Sequence, residues 1–290
     1  MSGAGRSTQG DCSELLRVLD VGDEGSGRYV GRAGGEDGRR VVEGSQMLAQ
    51  ALVAAGRHSP GRRPISAWMG FLRVADTAEP LSFELDELSS GRTFTGLGVE
   101  VRQGDRRCAS GRLLLDVTAP DLIRHHAEPP PVQGPEQAEP LEMGVPGQEV
   151  RIVDGAFTGD PDAPPGPPVL DAWVRFHGTP ADPCLHTGLL AQFTGYLSIA
   201  AALRPHPGVG QDEAHRSLST AVNAIGFSLH SPVRADRWML YHHRSTYAGD
   251  GMTHSSCRVH DEAGGLLASF TVDGMVRGRS EHGVDAARAL

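Results

Sequence analysis

The sequence predicts an α+β protein built twice over, with two long helices, each followed by four antiparallel strands able to wrap it. Two observations carry this. The same order of patterns, an apolar helix and then four strand-like runs, occurs on both sides of a Pro/Glu-rich stretch at 126–147. The length of 290 residues also suits two units of about 140 residues, each large enough to bury a core. A doubly wound fold would alternate strand and helix throughout, and a β-sandwich would contain no such helices.

Residues 1–12 read as a disordered leader and 13–125 as the first unit. In that unit Gly44-Ser45 precedes QMLAQALVAAG, where Met47, Leu48, Ala51, Leu52 and Ala55 recur at helical spacing. Ser45 is the expected N-cap and Gly56 the expected stop. Strand-like runs follow at ISAWMGFLR, LSFELDEL, FTGLGVEVRQ and CASGRLLLDV, with turn signals at 90–91 and 104–105. The stretch 126–147, with little to bury, reads as an exposed linker, and GDPDAPPGPP at 159–168 as a surface loop. The second unit spans 148–279, and 280–290 reads as a tail. Its helix is HTGLLAQFTGYLSIAAALRP, with Leu189, Phe193, Tyr196, Ala200 and Leu203 on one face; its strands are AVNAIGFSLH, RWMLYHHRST, MTHSSCRVHD and GLLASFTVDGMV. One helix wrapped by a curved sheet, repeated, is a tandem or double hot-dog.

Composition narrows the chemistry. The net charge of −9 argues against a general nucleic-acid binder, which needs a basic face to displace counterions. Every basic residue counted as Lys or Arg is arginine, so lysine Schiff-base or lysine general-base chemistry is excluded. Cys12, Cys108, Cys184 and Cys257 are scattered and read as reduced thiols of a cytoplasmic protein, with no metal and no cofactor expected. No stretch approaches the ~20 apolar residues that cross a bilayer.

Several segments together resemble the acyl-CoA thioesterase II (TesB-like) family. RVVEGSQMLAQALVAAGR at 40–57 is similar to its glycine-rich approach to the first helix. DAWVRFHG at 171–178, RPH at 204–206, SPVRADRWMLY at 231–241 and GGLLASFTVDGMVR at 264–277 match in order and spacing. The resemblance implies an acyl-thioester pocket and a water held by an Asp, a Thr or Ser, and a Gln of the second unit. Counted from these anchors, the three positions are Gly195, Val222 and Val272. A His frequent in the family's first unit falls at Trp68.

Valine can neither orient nor deprotonate a water, and base catalysis alone is worth roughly 10²–10⁴-fold, so ordinary hydrolysis is not the expectation. Gly195 either opens room for a bulky ligand or allows close packing; Val222 and Val272 either make the pocket more apolar or are core valines. Thr220 shares the face of Val222 on a strand, Asn223 the opposite face, and Gln192 lies near Gly195 on the helix. Asp250 and His254 flank a glycine turn, either as a general-base pair or as a turn residue and a strand residue. Thr220, Asp250 and His254 are therefore the catalytic candidates, with Gln192, Gly195, Val222, Asn223 and Val272 lining the pocket. A hydratase-type Asp-x4-His is absent, since Asp182 and His186 have three residues between them.

Three functional readings stay open. The first is an enzyme of specialised metabolism working on an acyl thioester or polyketide-like intermediate by altered chemistry, through relocated-base hydrolysis, acyl transfer, dehydration or shape-directed cyclisation. The second is an ordinary acyl-CoA thioesterase, and the third an inactive acyl-binding or partner subunit. An acyl carrier protein is a candidate partner, and the fold implies a homo-oligomer.

Overall fold

The computed structural model describes residues 10–35, 40–156, 159, 162–214 and 216–278. The first nine residues of the expected leader, part of the 159–168 loop and the tail at 280–290 lie outside the described residues.

A short helix α1 (Ser13–Leu19) leads to the hairpin β1 (Gly22–Gly25) and β2 (Arg28–Gly31). Helix α2 (Gly44–His58) is followed by β3 (Arg63–Phe71), β4 (Leu81–Ser90), β5 (Phe94–Gln103) and β6 (Arg106–Asp116). The second half opens with β7 (Glu139–Leu141), β8 (Gln148–Ile152) and β9 (Val169–Phe176). Helices α3 (Pro183–Gln192) and α4 (Ser198–Leu203) come next, then β10 (Leu218–Leu229), β11 (Met239–Gly249), β12 (Met252–Asp261) and β13 (Leu266–Gly278). The eight expected strands all form, displaced by a few residues at their ends.

The strands make one antiparallel sheet in the order β1-β2-β4-β5-β6-β3-β10-β13-β12-β11-β9-β8-β7. Its two halves meet where β3 pairs β10, from Ala224 opposite Gly70 to Ser228 opposite Ser66. The core lies between the sheet and the central helices. Every residue of α2 from Ser45 to Gly56 is buried, so this helix is enclosed on all sides rather than amphipathic.

The structure corrects the sequence reading at several places. Glu43, with extended backbone, is the N-cap of α2, so Ser45 lies inside the first turn. Gly56 does not stop the helix, which runs to His58; a Cβ there would lie 2.7 Å from Cys184 Sγ of α3. The second long helix is two helices, because a 3-10 turn at Phe193–Gly195 and left-handed backbone at Leu197 (φ 66°) interrupt it. A left-handed non-glycine residue costs roughly 1–2 kcal/mol, which the packing of the turn must offset. Part of the Pro/Glu-rich stretch is an edge strand, β7, paired with β8. Its neighbours are held too, since Trp173 Nε1 donates to Gln133 O at 2.9 Å and Arg151 to Pro135 O at 3.2 Å.

Candidate functional site

Helices α2 and α3 run antiparallel, with Gly56 beside Cys184, Gly188 beside Val53 and Gly195 beside Ser45. The approach is closest at its end. A Cβ on Gly195 would stand 2.5 Å from Ser45 Oγ and 2.9 Å from Ser45 Cβ. The close packing at Gly195 is therefore against α2 rather than against the sheet, and the serine occupies the space that a side chain at 195 would need.

The three positions implied by the family resemblance lie on elements that pack together. The Phe193–Gly195 turn packs against α2, β10 and β13. On those strands Val222 lies opposite Gly274, and Val272 opposite Ile225. Val272 is buried and Val222 packs partly buried against the same core. Thr220, opposite Val276, shares the face of Val222 as expected. Asn223 departs from simple alternation, because a bulge between Val222 and Ala224 takes it out of register. Its Oδ1 is buried without a hydrogen-bond partner among the described residues.

Polar atoms in this apolar setting are left unsatisfied. Ser45 is fully buried and its Oγ has no partner among the described residues. Gln192 Nε2 donates to Tyr196 Oη at 3.3 Å, while its Oε1 is buried and unpartnered. The α2 ladder begins when Gln46 N–H donates to Glu43 O at 3.1 Å, so the amides of Gly44 and Ser45 precede it. Helix-start amides carry partial positive charge and suit a polarised carbonyl oxygen. Thr194, by contrast, bonds back to Ala191 O at 2.6 Å and is structural.

The Asp250–His254 pair does not form. Asp250 is the left-handed turn residue (φ 53°) between β11 and β12, and accepts from Tyr247 Oη at 3.2 Å. His254 Nδ1 instead meets Asp273 Oδ1 at 2.7 Å across the strand pair. Thr253 and Ser255 are the buried neighbours of His254, and Val272 the buried neighbour of Asp273. The His254–Asp273 pair thus faces outward, away from Val272. Trp68, more than half exposed, also lies on the outer face, so this position does not reach the site. Asp182 caps α3 through Cys184 N–H at 2.9 Å, and His186 Nδ1 accepts from Ala235 N–H at 3.0 Å. Among the described residues no group of three His, Cys, Asp or Glu side chains could hold a metal ion, and no helix is long and apolar enough to cross a membrane.

The sequence reading missed Ser45, taken as a cap, and a second polar pair, Ser198 and His243. His243 Nδ1 lies 3.1 Å from Ser198 Oγ, with both residues buried. The signal was there in strand parity, since Tyr241 and His243 share the inward face of β11.

One antiparallel sheet wrapped around two paired helices defines a double hot-dog protein. Residues 36–115 match the family described as acyl-CoA thioesterase N-terminal domain, and residues 120–276 that described as acyl-CoA thioesterase C-terminal domain. The chain belongs to this family, the acyl-CoA thioesterases of the TesB-like type II. It is 26% identical over 258 residues to acyl-CoA thioesterase 2 of Haemophilus influenzae, covering 83% of this chain and 89% of that protein. It is 26% identical to human acyl-coenzyme A thioesterase 8, covering 81% and 80%. The fold is similar to that of an acyl-CoA thioesterase II from Mycobacterium marinum, with a TM-score of 0.78 at 24% identity over 92% of this chain and all 100% of that one.

Proposed function

We propose that this chain binds acyl thioesters at the start of α2 and acts on them by chemistry other than the family's water-mediated hydrolysis, within specialised metabolism. One observation supports the reading: the positions that the resemblance assigns to an Asp, a hydroxyl residue and a Gln are held by Gly195, Val222 and Val272, on a turn and two strands that pack together. None of the three can hold or deprotonate a water. Ser45 Oγ and Gln192 Oε1, buried without a partner among the described residues, are the groups left to bind a thioester carbonyl and its surroundings. Such groups orient and polarise, worth several kcal/mol at best, but they supply no base.

A panel of acyl-CoA and acyl-carrier thioesters, followed by mass spectrometry, tests this. The expected result is binding weakened by Ser45→Ala, slow hydrolysis of simple acyl-CoAs, and a product of acyl transfer, dehydration or cyclisation from one member of the panel. Fast hydrolysis of simple acyl-CoAs, unaltered by Ser45→Ala, Thr220→Ala and Gln192→Ala, would establish an ordinary thioesterase instead. Binding without any product would favour an acyl-binding subunit. Restoring Gly195→Asp, Val222→Thr and Val272→Gln together, with Ser45→Gly to make room, should raise octanoyl-CoA hydrolysis by about 10²-fold or more.

A further inference from the structure

His243 is fully buried on β11, and while its Nδ1 meets Ser198 Oγ, its Nε2 has no hydrogen-bond partner among the described residues. The surroundings are aromatic. Tyr241 stacks on the ring at 6.2 Å between centroids, and Phe270 stands edge-on at 5.8 Å. Phe270 and Val272 alternate on the inner face of β13, and Ser198 follows Gly195 by one turn of chain. The pair therefore lies against Phe270, two residues from Val272 on the same face of β13.

Ser255 Oγ donates to the backbone carbonyl of Ser198 at 3.1 Å and so ties the start of α4 to β12. The Ser198 hydroxyl, 3.1 Å from Nδ1, has that ring nitrogen as an acceptor. With Ser198 O–H donating to Nδ1, the imidazole keeps its proton on Nε2, as an N–H aimed into the interior. Burial, together with the neighbouring His242, lowers the His243 pKa to about 3, so the ring stays neutral. A buried N–H without an acceptor is strongly disfavoured, and a phenyl ring among these aromatics would avoid that cost. The feature makes sense as half of a hydrogen bond.

We propose that Ser198 and His243 form an acyl-chain subsite in which Nε2–H donates to an oxygen on the chain, so that the preferred ligand is a hydroxy- or keto-substituted acyl thioester rather than a plain saturated one. Ser198 is the positioning residue, holding the tautomer and the ring. The inference rests on the acyl-thioester reading above.

The test uses the full chain and calorimetric binding of octanoyl-CoA against a positional series of hydroxy- and oxo-octanoyl-CoAs. One oxygenated isomer should bind about tenfold more tightly than octanoyl-CoA, as one buried hydrogen bond allows. His243→Phe should erase that preference, and Ser198→Ala should reduce it. In the wild-type protein, the imidazole Nε2–H resonance should shift with the favoured isomer and not with octanoyl-CoA. Equal binding of all isomers by the wild type, or a preference that survives His243→Phe, would overturn the subsite. Those wild-type measurements decide the matter even where a variant does not fold. Failure of every thioester to bind would sink the acyl-thioester reading itself, a result distinct from equal binding.

Discussion

Ser45 Oγ lies 2.5 Å from the point where a Cβ on Gly195 would stand. The two residues belong to different halves of the chain, and each sets the size limit of the other. Gly195→Ala should therefore force the start of α2 and the 193–195 turn apart, at about 1–3 kcal/mol, the usual cost of overpacking. Ser45→Gly in the same chain should recover most of the loss. A double-mutant cycle by urea unfolding reads the coupling, and strictly additive losses would show that the contact is not what excludes a side chain at 195.

His243 gives stability a pH dependence. Its folded pKa of about 3 lies below the ordinary histidine value of 6.5, so between those values the unfolded chain binds a proton that the folded chain does not. The contribution is complete above about pH 6.5 and falls as pH drops from there toward 3, by up to about 1.4 kcal/mol per pH unit. His230 and His260, also lowered by burial, add to the same limb. Urea unfolding at pH 7 and pH 5 should show a smaller acid loss for His243→Phe than for the wild type. An identical loss would mean that the imidazole is reached by solvent.

Arg57 joins the two halves at the end of α2. It donates to Val21 O at 2.6 Å and pairs with Asp20 at 2.6 Å and with Asp182, the cap of α3, at 3.2 Å. Arg57→Ala should cost about 1–3 kcal/mol, the range for hydrogen bonds to charged groups. Lysine should recover only part of it, because it lacks the planar fork. Thermal unfolding of the two variants checks this, and full recovery by lysine would reduce the contact to simple charge.

His254 and Asp273, although 2.7 Å apart, are substantially exposed on the outer face. An exposed pair of this kind is worth ~0–1 kcal/mol. His254→Ala and Asp273→Asn should each change stability by no more than that and leave thioester binding and turnover as they were. A large loss of turnover in either variant would place the chemistry on the outside of the sheet.

Much of the fold could be read residue by residue. Strand-like apolar runs between turn signals located the eight strands, because one face of each is buried, although bulges such as that at Asn223 break the alternation. Apolar periodicity likewise located α2, but it ran α3, the Phe193–Gly195 turn and α4 together as one helix. Ser45 and Gly56 carry local signals of cap and stop, yet α2 runs past both, since tertiary packing against α3 outweighs propensities of about 1 kcal/mol. The site was legible only in part. The resemblance implied Gly195, Val222 and Val272, but the partner of His254 could not be named, because Asp273 is brought to it across a strand pair rather than along the chain.

The sequence by itself determined a duplicated helix-and-sheet protein of the thioesterase family, because periodicity and spacing are local properties of the chain. Only the tertiary structure decided that Ser45 stands against Gly195, that Asp250 and His254 serve different partners, and that His243 is sealed beside Ser198. Apart from the local Tyr247–Asp250 contact, those relations join residues from 19 apart (His254 to Asp273) to 150 apart (Ser45 to Gly195). Antiparallel helix packing and strand register bring them within contact, and neither is written in any one segment.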